Sequence, residues 1–189
     1  MKRGLFRFLQ VMLLLCAVGC AAVEPLQFDN LTLGDPGKAD VIIDRKGFAV
    51  GFSNEKKQAL WVIYKLTAEE LGDFGIKRTN RFRPDPEIAA SALPADYTKS
   101  GYDRGHLAPA ADMAFSLQTM QDSFLMSNMS PQKPQFNRGI WKRLEEQIRD
   151  FAVAEKEIYV VTGPIFLPED TITVGASQVA VPSYYYKVV

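Results

Sequence analysis

Ser100–Met113 reads SGYDRGHLAPAADM and holds the only histidine of the chain, His106. Whether that ring works as an acid–base group decides how its surroundings are read. If it does, the irregular stretch around it is a functional loop carried on a regular scaffold. If it does not, the same stretch is an unexplained gap between elements.

Upstream, Gly72 to Ala111 shows little periodicity and many Pro, Gly and Asp residues. Long structureless stretches inside a compact domain are uncommon and often functional. This one carries the densest basic cluster, Lys77, Arg78, Arg81 and Arg83. Three short β-rich runs precede it: Val41–Asp44, Phe48–Phe52 and Leu60–Tyr64. Tight polar turns join them, which predicts an antiparallel meander. Thr67-Ala68-Glu69-Glu70 has the spacing of a capping box and predicts a short helix. Downstream, a helix is expected from about Asn137, with Ile140, Leu144, Ile148 and Phe151 toward the core. Asn137, Trp141 and Glu145 form a second stripe at its edge, the outer two about 12 Å apart in rise. Ile158–Gly163 reads as a buried strand, and Val179 to Val189 as a strand that stops in mid-element. The expected class is α+β, a central antiparallel sheet flanked by helices.

The chain has 189 residues, 47% hydrophobic and 23% charged, with zero formal net charge. That composition supports one folded domain and excludes wholesale disorder. Zero net charge argues against a nucleic-acid partner on its face, yet phosphate binding needs only a local basic face. Residues 1–22 read as a signal peptide: Lys2, Arg3 and Arg7 precede an apolar run from Phe8 to Val18. Ala17-Val18-Gly19-Cys20 resembles a lipoprotein processing site that would make Cys20 an acylated first residue; plain cleavage after Ala22 is the alternative. Either reading exports the protein, to the periplasm, to the outer membrane as a lipoprotein, or beyond. Residues 23–40 read as linker and 41–189 as the working domain. Both cysteines, Cys16 and Cys20, lie in the signal, so the exported part has no thiol chemistry.

One histidine excludes a two-histidine zinc site, and the missing cysteines exclude a structural one. No nucleophile elbow, phosphate-binding P-loop or dinucleotide fingerprint occurs. A Ser-His-Asp triad stays formally open, with no serine marked for it. Phosphodiester hydrolysis needs a base for water, positive charge for the phosphorane, and help for the leaving oxygen. His106 can supply the first and Arg104 the second, with Mg²⁺ held by few oxygen ligands as the third.

DRGHLAPAADM, FLMSNMSPQ, FNRGIWKRLE and VTGPIF follow one another in this order. Together they resemble the DNA/RNA non-specific endonucleases, whose active site is a ββα-metal finger. The resemblance runs from about Gly47 to the end and includes FAVGF and VAVPSYYYKV. It implies that His106 is the general base, that Asn137 is the single direct protein ligand of Mg²⁺ or Mn²⁺, and that Glu145 orients water around the metal. Arg104 resembles the arginine near the phosphate, and Asn128 a site-lining residue with a mainly positioning role. Asp103 is read as a brace for the loop. Arg78 and Arg81 both match an upstream phosphate-binding arginine, with Arg78 favoured. The resemblance further implies DNA and RNA as substrates, 5′-phosphate ends, a homodimer as is common in the family, and a domain truncated at its C-terminus. An unperturbed histidine base would make activity rise as pH passes roughly 6.5. The competing expectation is a membrane-anchored protein that binds nucleic acid without cutting it.

Overall fold

The structure is a computed structural model that describes residues 28–189. The signal peptide, Cys16 and the lipidation site at Cys20 lie outside the described residues. The expected meander is present: β1 (Val41–Asp44), β2 (Ala49–Ser53) and β3 (Gln58–Thr67) pair antiparallel in sequence order. β6 (Glu157–Ile165) pairs with β3, and β9 (Tyr184–Val188) with β6, completing a five-stranded antiparallel sheet in the order β1-β2-β3-β6-β9.

Alternation along these strands separates two apolar layers. Phe48, Val50, Phe52, Val62, Tyr64, Leu66, Ile158 and Val160 share the main core with Ile148 and Ala152. Those last two belong to α3 (Lys142–Glu155), the one long helix among the described residues. Ala49, Trp61 and Ile63 form the opposite layer, packed by Leu31 and closed by a bond from Trp61 Nε1 to the Gly37 carbonyl (2.9 Å). The expected flanking by helices is therefore one long helix on one face. The other face carries part of the stretch read as linker, where buried Asn30 bonds Asp44 and the Arg45 carbonyl.

Two local expectations change. Thr67 and Glu70 do make the reciprocal bonds of a capping box, Thr67 N to Glu70 Oε2 and Glu70 N to Thr67 Oγ1. They close a turn at the end of β3, however, and no helix follows. Gly72 directly after this turn, with Asp73 and Gly75 beyond it, gives a helix nothing to propagate on. The run from Val179 to Val189 divides at Pro182 into β8 (Val179–Ala180), paired with β7 (Thr173–Val174), and β9 in the main sheet.

The site region is a ribbon and a helix. β4 (Asp103–His106) pairs antiparallel with β5 (Met129–Gln132), His106 opposite Met129. A short helical turn, α2 (Pro134–Phe136), and a π-helical turn, Asn137–Trp141, lead from β5 into α3. Before β5, α1 (Leu117–Asp122) is N-capped by Ser116, whose side chain accepts from Thr119 N. Gly105 lets the ribbon close: a Cβ there would lie 2.2 Å from the buried Gln132 side chain. Ser130 Oγ fastens the ribbon to the sheet through Gln58 (2.5 Å) and Tyr185 (2.7 Å).

Candidate active site

Arg78, Arg104, His106, Asn137 and Glu145 line one cleft of about 480 Å³, together with Arg138, Lys142 and Arg149. Arg78 comes from the long loop, Arg104 and His106 from β4, Asn137 from the π-helical turn and Glu145 from the first turn of α3. Five residues that span 68 positions of sequence thus converge, and five of the eight side chains are cationic.

His106 sits at the end of β4 with its Nε2 buried and without a hydrogen-bond partner among the described residues. Phe124 meets its ring edge-on at 4.9 Å between centroids, and Phe82 lies tilted at 5.8 Å. The Arg78 guanidinium rests over Phe124 (4.9 Å) and that of Arg104 over Phe82 (5.1 Å). The two phenylalanines therefore hold the imidazole and place a cation at each side of it. Burial, and then the nearby Arg78 charge, push the His106 pKa down to about 3. The pocket therefore favours the neutral ring and shifts its titration below the ordinary value of about 6.5.

The same shift has a stability consequence. The unfolded chain takes up this proton near pH 6.5, whereas the folded ring refuses it down to about pH 3. The contribution is therefore full above about pH 6.5 and is lost as pH falls from there to about 3. Urea unfolding at pH 7 and pH 5 should show about 2 kcal/mol of acid-induced loss from this residue. That difference should be missing in His106→Ala. Equal acid losses in both proteins would show that His106 accepts its proton normally.

Asn137 donates from Nδ2 to Asp103 Oδ2 (3.0 Å), which leaves its Oδ1 as the uncommitted atom. Asp103 also takes two bonds from Arg138, Nε at 2.8 Å and Nη2 at 2.6 Å. Against the upward push of burial, these bonds hold the Asp103 carboxyl below its ordinary value. Asp103 is thus a brace, as read from sequence, and what it braces is the Asn137 amide. Among the described residues no three His, Cys, Asp or Glu side chains gather as metal ligands. The donor set at the cleft is therefore poor in protein ligands, with the oxygens of Asn137 and Glu145 beside the single imidazole of His106. It fits Mg²⁺ or Mn²⁺, which keep several waters.

Two assignments differ from expectation. Asn128 is fully buried and saturated: Oδ1 accepts from Ala108 N, and Nδ2 donates to the Ala108 and Ser123 carbonyls, all at 2.9 Å. It has no polar atom left for a substrate, so it is not a site-lining residue. Its positioning role acts on the backbone two residues after His106. Of the two candidate arginines, Arg78 lines the cleft and Arg81 is exposed outside it.

The helix also differs in phase. Ile140 and Phe151, expected inward, are 56% and 54% exposed, while Trp141, Ile148 and Ala152 are buried. The π-helical turn, with Gly139 at φ −107°, ψ −105°, breaks the regular spiral before α3 and turns Ile140 outward, whereas Leu144 and Ile148 face the core as expected. In the edge stripe Trp141 is buried, and Asn137 and Glu145 line the cleft. The sequence reading missed Phe82 and Phe124, whose hydrophobicity marks them only as core.

A profile of the DNA/RNA non-specific endonuclease family matches residues 27–189. Nuclease C1 of Cunninghamella echinulata var. echinulata is 38% identical over 173 residues, covering 84% of this chain and 68% of that protein. Human mitochondrial endonuclease G is 37% identical over 166 residues, covering 82% of this chain and 56% of that one. In the crystal structure of the EndoG/EndoGI complex, one chain superposes with a TM-score of 0.79 at 31% identity, covering 85% of this chain and 71% of its own length. The chain spans little more than half of human endonuclease G and about two thirds of nuclease C1. With most of its length matched, the chain belongs to the DNA/RNA non-specific endonuclease family.

Proposed function

We propose that this cleft hydrolyses phosphodiester bonds of DNA and RNA by in-line attack of water, with His106 as general base, leaving 5′-phosphate ends. The observation that carries the reading is the buried Nε2 of His106, without a hydrogen-bond partner among the described residues, in a cleft where five cationic side chains stand beside Asn137 and Glu145. A neutral imidazole nitrogen without a partner keeps its lone pair free for a proton of water, and a phosphate anion entering the cleft would offset the Arg78 charge that weakens it as a base. Arg104 and Arg78, stacked on Phe82 and Phe124, are preorganised beside it for phosphate charge. The family is one of metal-dependent nucleases. A divalent cation held at Asn137 Oδ1 would supply positive charge for the developing phosphorane and the leaving oxygen. Phosphate contacts of this kind carry no base information, which suits cleavage with little sequence preference. The signal-like residues 1–22 support export as part of the same proposal.

The test is cleavage of plasmid DNA and total RNA with Mg²⁺ and with EDTA. Cutting of both substrates with Mg²⁺ and none with EDTA is expected. A folded protein that binds strands but never cuts them would overturn the nuclease reading in favour of simple capture.

The two arginines should separate in a binding titration against salt. Arg78→Ala should weaken binding and reduce the salt slope by about one. Arg81→Ala should leave both near the parent value. The reverse pattern would move the phosphate contact outside the cleft.

A further inference from the structure

Beside the cleft lies a second cavity, of about 450 Å³, which has no part in the account above. Phe136 lines this cavity, while the next residue, Asn137, lines the cleft. Tyr102 lines it as well, and Arg104, two residues on, lines the cleft. Asp103 stands between them and bonds Asn137 and Arg138. Consecutive Cα atoms are about 3.8 Å apart, so the two hollows adjoin along both chain segments. The exposed side chains of Tyr184 and Ile172 complete the apolar wall. Behind it Phe136 stacks on Tyr185, 5.4 Å between centroids and 22° between planes, and lies 5.2 Å from Trp141. The rim is held shut by the protein itself. Asp170 Oδ2 accepts from the Leu167 and Ser183 amides (2.9 and 3.0 Å), and its Oδ1 accepts from Ser183 Oγ (2.6 Å). Val181 N donates to the Ile172 carbonyl at 2.9 Å. The walls are thus built before any ligand arrives.

We propose that this cavity receives an unpaired base of the nucleic-acid strand whose phosphate lies in the cleft. The inference rests on the nuclease reading for the phosphate, and on the cavity's own lining for the base. A strand alternates anionic phosphates with flat, uncharged bases, and the two adjoining hollows differ in the same way. The cleft presents five cationic side chains. The cavity presents aromatic and aliphatic side chains, with Lys133 as its one cation and with Glu169 and Asp170 on its rim. A phosphate entering it would meet those carboxylates, whereas an uncharged base would not, and its amino groups could donate to Glu169. The volume lies in the range of roughly 300–1,000 Å³ usual for small-molecule sites. Stacking on aromatic side chains accepts any base, because every base has a π-face. A base paired within a duplex would have to leave its stack to enter. The cavity therefore favours single strands over duplexes without adding sequence preference.

The experiment measures binding of a short single-stranded oligonucleotide to wild type, Tyr184→Ala and Tyr184→Trp, with EDTA present so that nothing is cut. One abasic site is walked along the strand, and the matching duplex is titrated in parallel. Wild type should lose about tenfold in affinity at one or two abasic positions and little at the rest. Tyr184→Ala should bind the intact single strand about tenfold more weakly, flatten the walk, and bind the duplex as wild type does. Tyr184→Trp, which keeps an aromatic face, should restore the walk. A flat walk on wild type, or equal losses on single strand and duplex in Tyr184→Ala, would overturn the proposal. So would a dimer that Tyr184→Ala dissociates while strand binding stays unchanged, since the cavity would then belong to a second copy of the chain. Cleavage with Mg²⁺ is measured separately. A wild type that shows the walk yet cuts nothing would overturn the nuclease reading and leave the base site standing.

Discussion

His106→Ala should lower kcat on both DNA and RNA by about 10²–10⁴-fold while binding of uncut strands stays near wild type. The asymmetry follows from the cleft. Alanine removes the one neutral proton acceptor among the cationic wall residues and leaves Arg78 and Arg104 able to hold phosphate. Their seats, the Phe124 and Phe82 rings, also contact one another at 5.0 Å, so the pair keeps its own packing without the imidazole. Single-turnover cleavage and a gel-shift titration of the same preparation separate the two effects. A variant that cuts at the wild-type rate would remove His106 from the role of base. Parallel loss of cutting and binding would make it a structural residue of the arginine platform.

Asp85→Ala should cost about 3–5 kcal/mol of folding stability. Asp85 is buried, and both of its oxygens accept from Arg45 Nη2, at 2.9 and 2.8 Å. Ser127 Oγ donates to it as well, at 2.5 Å. Removing the carboxylate strands a buried guanidinium whose Nη1 has no partner among the described residues. Its remaining ion pair runs to Glu87, whose side chain is 58% exposed. The damage should reach the cleft, because Ser127 adjoins Asn128 and Asn128 clamps Ala108. Urea unfolding gives the loss directly. A cost below about 1 kcal/mol would show that Glu87 alone suffices for Arg45.

The parts of this molecule legible in its sequence are those encoded by local pattern. β1, β2, β3 and β6 follow from β-branched and aromatic runs bounded by turns. The motif around His106 marked itself by its position after a long irregular stretch. Arg78 was favoured over Arg81 on motif match alone, because three residues along a loop carry no information about direction. Asn128 was misplaced for a related reason: a motif shows that an amide is needed, not whether it faces solvent or backbone. Lys187 left no signal at all. This half-buried residue donates to the Leu107 carbonyl and stands over the Tyr64 and Trp141 rings, residues more than forty positions away, and nothing adjacent to it distinguishes it from a surface lysine.

The π-helical turn at Asn137–Trp141 has a consequence for how this site can vary. A helix distributes its side chains by angle, about 100° per residue, so a position's direction is the running total of every residue before it. The turn resets that total between the segment carrying Asn137 and the segment carrying Glu145. The two are aimed into one cleft by the length of the stretch that joins them as much as by their own identities. Any exchange of side chains within it leaves the aim intact if the turn survives. A single-residue deletion would change no chemistry and yet swing one of them away from the other. Asn137 and Glu145 are, in that sense, held together by counting.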